Sequence, residues 1–210
     1  AGCKVLSSAT TVAEARWLEE RGADAIIAQG AEAGGHRGTF LTGDIWAQPG
    51  TMALVPQIED AVRVPVIAAG GIADARGIVA ALALGASAVQ LGTAYLFCPE
   101  AKVSAPYARA LRKARDDATT ITNVFTGKPA RGLYNRAISE IGPITMDAPA
   151  FPNAAAALAP LRTNAEAQGS GDFSPLWAGQ AAALGREMPA AELTQQLVKE
   201  VNGLLERLSG

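Results

Sequence analysis

PVIAAGGIADARGIVAALALGASAVQLGTAYL, residues 65–96, has the pattern of a strand, a helix and a second strand in direct succession. The first apolar run covers 64–69 and ends at Gly70 and Gly71, after which a helical pattern follows Asp74. A second apolar run covers 87–91. Apolar runs without polar alternation are typical of parallel strands that are covered on both faces. The stretch therefore predicts a parallel βαβ unit.

The same rhythm extends towards the amino terminus. Strand-like runs at 4–7 and 25–28 flank the helical segment VAEARWLEERG, which Thr10 or Thr11 can cap. Beyond Cys98 the rhythm stops, and helical segments alternate with Pro/Gly loops up to a final helix with a leucine stripe. We therefore expect parallel α/β structure over 1–100, and a helical lid with C-terminal helices over 101–210.

Composition excludes several classes of function. The 210 residues carry a net charge of -2 and are 49% hydrophobic, and they contain no Lys/Arg cluster of the kind that binds nucleic acid. The longest apolar run, 78–84, is too short to span a membrane. Cys3 and Cys98 form neither a metal-ligand spacing nor a disulfide framework, so we expect no metal and a cytoplasmic location.

Two successive strand ends offer backbone amides to an anion. Gly70 and Gly71 precede a helix N-terminus, and Gly92 and Thr93 follow the next strand. Glycine allows close approach of an oxyanion to the backbone, and a helix N-terminus adds the positive end of its dipole. We expect a bound phosphate here, as in barrels whose last two strands hold one. The alternative is that these glycines only form tight turns.

The only histidine lies in a glycine-rich loop, QGAEAGGHRG, residues 29–38. This loop follows a strand, so His36 is expected at the same edge as the phosphate, where an imidazole can accept or donate a proton. A structural histidine is the alternative. Glu32 is predicted to orient the loop or His36, with a solvated charge as the alternative. Arg37 is either a contact for an anionic substrate or an exposed loop residue. In GKPARG, Lys128 and Arg131 are lid contacts or part of a surface turn.

Five stretches carry a family resemblance: AQGAEAGGHRG, VPVIAAGGI, ALALGASAVQLGTAYL, FTGKPARGLYNR and FSPLWAGQAAAL. Together they resemble the nitronate monooxygenase (2-nitropropane dioxygenase) family of FMN enzymes. The resemblance implies a TIM barrel with a helical second domain, and oxidation of alkyl nitronates, with nitroalkanes as further candidate substrates, by O2 to a carbonyl compound and nitrite. It also implies a catalytic role for His36. The residues it assigns to FMN are Gln29, Gly34, Gly35, Gly70, Gly71, Gln90, Leu91, Gly92 and Thr93.

The family barrel has about eight strands, whereas the four runs found here resemble its fifth to eighth. We therefore expect a barrel that lacks its N-terminal half and carries a C-terminal helical cap. The first three stretches are shared with flavin-dependent enoyl-ACP and quinone reductases, so an NAD(P)H-dependent reductase is an alternative function. An inactive truncated fragment is a third alternative. The expected partners are small molecules and O2, with a homodimer as a further possibility.

Overall fold

The computed structural model describes residues 2–210, which form two compact units. Unit 1 contains 2–33, Gly38–Leu91 and Met188–Gly210, and unit 2 contains Gly34–Arg37 and Gly92–Glu187. The strands of these described residues are β1 (Leu6–Ala9), β2 (Ala25–Gln29), β3 (Gly35–His36), β4 (Val66–Ala69), β5 (Ala88–Gln90), β6 (Thr119–Thr122) and β7 (Ala130–Leu133). The α-helices are α1 (Val12–Glu20), α2 (Thr51–Glu59), α3 (Ala75–Ala83), α4 (Ala105–Arg112), α5 (Arg136–Ile141), α6 (Ala154–Ala167) and α7 (Ala190–Ser209). Short 3-10 helices cover Thr93–Phe97, Pro99–Ala101 and Gln180–Leu184.

Unit 1 is built on a parallel sheet with the strand order β1-β2-β4-β5. Ala28 of β2 pairs with Ala9 on one side and with Ala68 on the other. All four strands overlap the runs expected from the sequence, so the prediction of parallel α/β structure is confirmed. Within residues 2–210 this sheet has four strands, with β1 and β5 at its edges.

The core of unit 1 explains why its strands lack polar alternation. Ile26 and Val66 from the sheet are fully buried together with Leu54 and Ile58 from α2. Burial of each such side chain contributes roughly 1.5–3 kcal/mol. Of the two candidate caps of α1, Thr11 is the N-cap residue, because its hydroxyl accepts the Glu14 N–H at 3.2 Å.

The C-terminal helix α7 belongs to unit 1, where it packs against α3. The expected leucine stripe is buried at Leu193 and Leu197, whereas Leu208 is exposed. The predicted grouping of 101–210 as one region therefore differs from the observed units. No helix among residues 2–210 combines the length and the apolar character needed to cross a bilayer.

Unit 2 contains an antiparallel sheet that the sequence analysis did not predict. Its strand order is β3-β7-β6, with Gly35 paired to Arg131 and His36 paired to Ala130. The expectation of purely helical structure between loops beyond residue 100 is therefore wrong at β6 and β7. The short strand β3 has little strand propensity of its own, and its partner is remote in sequence, so tertiary pairing decides this sheet.

Candidate functional site

The carboxyl edge of the parallel sheet brings together the site residues predicted in unit 1. Register places Gln29 beside Ala69 and Ala69 beside Gln90, so β2, β4 and β5 end side by side. The Gln29 Oε1 atom accepts the Gly38 N–H at 2.7 Å, which joins the end of β2 to a residue nine positions later. Gln90 is exposed at the end of β5, whereas Leu91 packs against the core. Any contact from Leu91 to a ligand is therefore expected to come from its backbone.

Gly70 and Gly71 follow β4 in a conformation that favours glycine. Their φ angles are +110° and +71°, both in the left-handed region. A Cβ atom at Gly70 would lie 3.0 Å from the Ala33 backbone nitrogen, and one at Gly71 would lie 3.3 Å from the Glu32 Cβ atom. The positive φ at both positions, together with the tight space at Gly70, therefore disfavours larger residues.

This glycine pair is suited to an anion. Gly71 is exposed, and no acceptor for its N–H occurs among residues 2–210. Helix α3 starts four residues later, with Asp74 as its N-cap residue accepting the Arg76 N–H at 2.9 Å. An exposed amide that is close in sequence to a helix N-terminus is a donor set that fits a phosphate oxygen.

Glu32 orients its loop, but it does so through a residue that the sequence analysis missed. Its carboxylate accepts the Thr51 N–H at 2.8 Å, and the Thr51 hydroxyl lies 3.0 Å away. The same hydroxyl lies 2.8 Å from the Gly70 carbonyl oxygen. Thr51 begins α2, so Glu32 satisfies an N-terminal amide of that helix and is linked through Thr51 to the glycine pair. The only available signal was a threonine after Pro49 and Gly50, where helices commonly begin.

In unit 2, Gly34 and Thr93 meet at Gly179. The Thr93 hydroxyl accepts the Gly179 N–H at 2.9 Å, which leaves the threonine O–H as a donor. A Cβ atom at Gly34 would lie 2.5 Å from the same nitrogen. Gly35 has a φ of +78°, and a Cβ at Gly92 would meet nothing within 4 Å. Gly179 therefore connects the glycine-rich loop with the residue that follows Gly92.

His36 lies on β3 with its imidazole half-buried among aromatic rings. The ring centroid is 5.5 Å from that of Trp177 and 5.8 Å from that of Phe151. The Nε2 atom lies 2.9 Å from the Thr126 hydroxyl oxygen. Burial, and then the positive charge of Lys128, lower the pKa of His36 below its ordinary value of about 6.5. The shift favours the neutral form of the imidazole, and a neutral imidazole can accept a proton.

The family model for nitronate monooxygenase matches residues 1–200. The chain belongs to the nitronate monooxygenase family. The nitronate monooxygenase of Pseudomonas aeruginosa is 49% identical over 203 residues, which are 96% of this chain and 58% of the relative. The nitroalkane oxidase of Streptomyces ansochromogenes has a TM-score of 0.91 at 43% identity, over 99% of this chain and 60% of that one. FabK from Thermotoga maritima has a TM-score of 0.79 at 33% identity, over 100% of this chain and 64% of that one. This chain thus spans less than two thirds of the length of these relatives.

Two arginines of this family member are buried where the sequence analysis offered exposed alternatives. Arg37 is 0% exposed and Arg131 is 8% exposed, so neither belongs to a solvated loop or a surface turn. The Arg37 N–H donates to the Pro129 carbonyl at 2.9 Å, and Arg131 Nη1 donates to the Thr119 hydroxyl at 3.2 Å. Arg37 directly follows β3 and Arg131 lies on β7, and the pairing of these strands is not visible in local sequence.

Proposed function

We propose that this chain contributes to oxidation of alkyl nitronates, and of the corresponding nitroalkanes, by O2 to a carbonyl compound and nitrite. The observation that carries the proposal is the half-buried imidazole of His36 beside the rings of Trp177 and Phe151, in a chain of this family. A small organic nitro compound has one apolar part and one anionic or polar part. The aromatic rings suit the apolar part of the substrate. The positive charge of Lys128, which also disfavours imidazolium at His36, suits the anionic or polar part.

We propose FMN as the cofactor. The exposed amide of Gly71 and the space-restricted turn at Gly70 fit a phosphate, which supports the assignment of both residues to the FMN phosphate. In unit 1, we also assign Gln29, Gln90 and Leu91 to FMN, as the family resemblance implies. In unit 2 the same holds for Gly34, Gly35, Gly92 and Thr93. When bound, FMN would supply the redox chemistry of the reaction.

His36 would act as the general base toward a neutral nitroalkane. The nitroalkane carbon that bears the nitro group carries an acidic C–H, and removal of that proton yields the nitronate. The neutral imidazole would take this proton, and the resulting imidazolium would stabilise the anion beside it. A nitronate supplied directly needs no proton removal, so His36 would then only hold the anion.

Two substrate forms separate these roles of His36. We expect His36→Asn to reduce kcat/KM for a neutral nitroalkane by about 10²-fold or more, and for the matching nitronate by a much smaller factor. Nitrite release and O2 consumption give both rates, and the flavin absorbance of the purified protein reports whether the variant still binds FMN. Equal losses with both substrates would contradict the assignment of His36 as the base.

The NAD(P)H-dependent reductase is the competing function. Under anaerobic conditions, rapid bleaching of bound flavin by NADH or NADPH would favour the reductase, whereas slow bleaching with fast nitronate oxidation supports the monooxygenase. A purified chain that binds no flavin and releases no nitrite would favour an inactive fragment. We further propose that the parallel sheet of unit 1 is of the TIM barrel type, because a barrel has eight parallel strands in the same βα order. O2 as oxidant, a homodimer and a cytoplasmic location remain predictions.

A further inference from the structure

The Thr126 hydroxyl lies between two partners that make different demands on it. His36 Nε2 is 2.9 Å away, and the Lys128 carbonyl oxygen is 3.1 Å away; the hydroxyl oxygen also accepts the Lys128 N–H at 3.4 Å. A hydroxyl has a single proton, and a carbonyl oxygen can only accept. The contacts to the Lys128 carbonyl and to His36 can both be hydrogen bonds only if Thr126 donates to that carbonyl and accepts from an Nε2–H group of His36.

The backbone around Thr126 fixes the position of this hydroxyl. The next residue, Gly127, has a φ of +81°, and its N–H donates to the Asn123 carbonyl at 2.8 Å. A Cβ atom at Gly127 would lie 2.1 Å from the Pro149 carbonyl oxygen, so the turn is closely packed. On the other side, Phe125 is buried with its ring centroid 5.6 Å from that of Trp177, which also contacts His36.

We propose that Thr126 is a positioning residue that holds His36 as the Nε2–H tautomer. A neutral imidazole has one N–H group, and a proton on Nε2 leaves the lone pair on Nδ1. The catalytic part of this inference rests on the proposed function, in which His36 is the base. The tautomer itself is a property of the chain and can be measured without substrate.

The single histidine of the chain makes this measurement direct. After uniform ¹⁵N labelling, and with any affinity tag removed, the imidazole nitrogens observed by NMR all come from His36. At pH 8, where the ring is neutral, we expect Nε2 to have the chemical shift of a protonated nitrogen and Nδ1 that of an unprotonated one. A wild-type spectrum with the proton on Nδ1 would overturn the proposal, whatever the variants do.

Two substitutions then test the part played by Thr126. Thr126→Val keeps the shape but removes the acceptor, so we expect both nitrogen shifts to move towards averaged values and the Nε2–H proton signal to broaden. Thr126→Ser keeps the hydroxyl and should retain the wild-type pattern. Thr120→Val is the matched control, because Thr120 lies half-buried on β6 in the same unit and should leave the imidazole signals unchanged. A wild-type pattern in Thr126→Val would refute the role of Thr126.

Activity provides the second readout. We expect Thr126→Val to lower kcat/KM for a neutral nitroalkane by about tenfold, which is the value of one hydrogen bond to a ring that becomes charged. Thr126→Ser should restore most of the loss. If the spectra show the expected tautomer but neither the wild-type chain nor any variant oxidises nitro compounds, the proposed function fails and the tautomer assignment stands. If nitro compounds are oxidised but the wild-type proton is on Nδ1, only the role of Thr126 fails.

Discussion

Replacing Gly70 with alanine tests whether the turn after β4 needs glycine. The native φ of +110° lies outside the regions that alanine adopts readily, and such a conformation costs about 1–3 kcal/mol. The added Cβ would lie 3.0 Å from both the Ala33 nitrogen and the Thr51 hydroxyl oxygen. Ala33 cannot retreat without loss, because its N–H donates to the Gly30 carbonyl at 3.1 Å. Overpacking of this kind adds about 1–3 kcal/mol.

Together these terms predict that Gly70→Ala lowers the free energy of unfolding by roughly 2–6 kcal/mol. Urea unfolding followed by far-UV circular dichroism measures this as a lower midpoint. The matched control is Gly203→Ala, the same chemical change inside α7 of the same unit, where a Cβ meets nothing within 4 Å. There we expect a stabilisation of roughly 0.5–1 kcal/mol, because alanine is the better helix former.

Opposite signs for the two glycine-to-alanine changes are the essential outcome. If Gly70→Ala is as stable as the wild-type chain, the left-handed turn and its close packing do not exist in solution. The neighbouring Gly71 amide would then not be held in the position proposed for binding a phosphate.

Three other perturbations give separate tests. Glu14 is buried, and burial by itself would raise the pKa of its carboxyl group. Hydrogen bonds from Thr10, Phe40 and Leu41 outweigh burial and lower this pKa. The ionised carboxylate therefore stabilises the folded chain at neutral pH, and this stabilisation is lost as the pH falls below about 4. Glu14→Gln should therefore reduce stability at pH 7 and flatten its decline in acid, as measured by urea unfolding at several pH values; an unchanged pH dependence would show that this carboxylate is not responsible. The lowered pKa of His36 predicts that the acid limb of kcat/KM for a neutral nitroalkane has its midpoint below about 6.5, and a midpoint above that value would contradict a base buried beside Lys128. Gly71 has a φ of +71°, so Gly71→Val should weaken FMN binding by about tenfold or more in a fluorescence titration. Gly43→Val is the control and should leave the affinity unchanged, because a Cβ atom there meets nothing within 4 Å. Equal affinities of the two variants would contradict the assignment of Gly71 to the phosphate.

Much of unit 1 could be predicted because its signals are local. The apolar runs that became β2 and β4 are each continuous over four or more residues, and Thr11 and Asp74 are standard helix caps. The glycine pair after β4 signalled a special backbone by residue type alone, and the φ angles at Gly70 and Gly71 agree with that signal. Such features depend on a few neighbouring residues, so they are readable without knowledge of the rest of the chain.

Unit 2 was harder because its sheet depends on distant pairing. Strand β3 is only Gly35–His36, and neither residue favours a strand. Its partner β7 comes from a stretch whose turn residues predicted a loop. Because that pairing was not foreseen, the exposure of Arg37 and Arg131 and the contact between His36 and Thr126 were not foreseen either.

Local sequence was enough to predict the parallel α/β architecture of unit 1, and it is the basis for the proposed anion site after β4 and for the choice of His36 as the proton-transfer candidate. The folded chain was needed to see that Glu32 acts through Thr51, that Gly179 connects Gly34 with Thr93, and that Thr126 contacts the imidazole of His36. The difference between these two groups of features follows from sequence separation. Caps, turns and apolar runs are energetic properties of short segments, whereas the partner of a side chain 90 positions away exists only after the chain has closed around it.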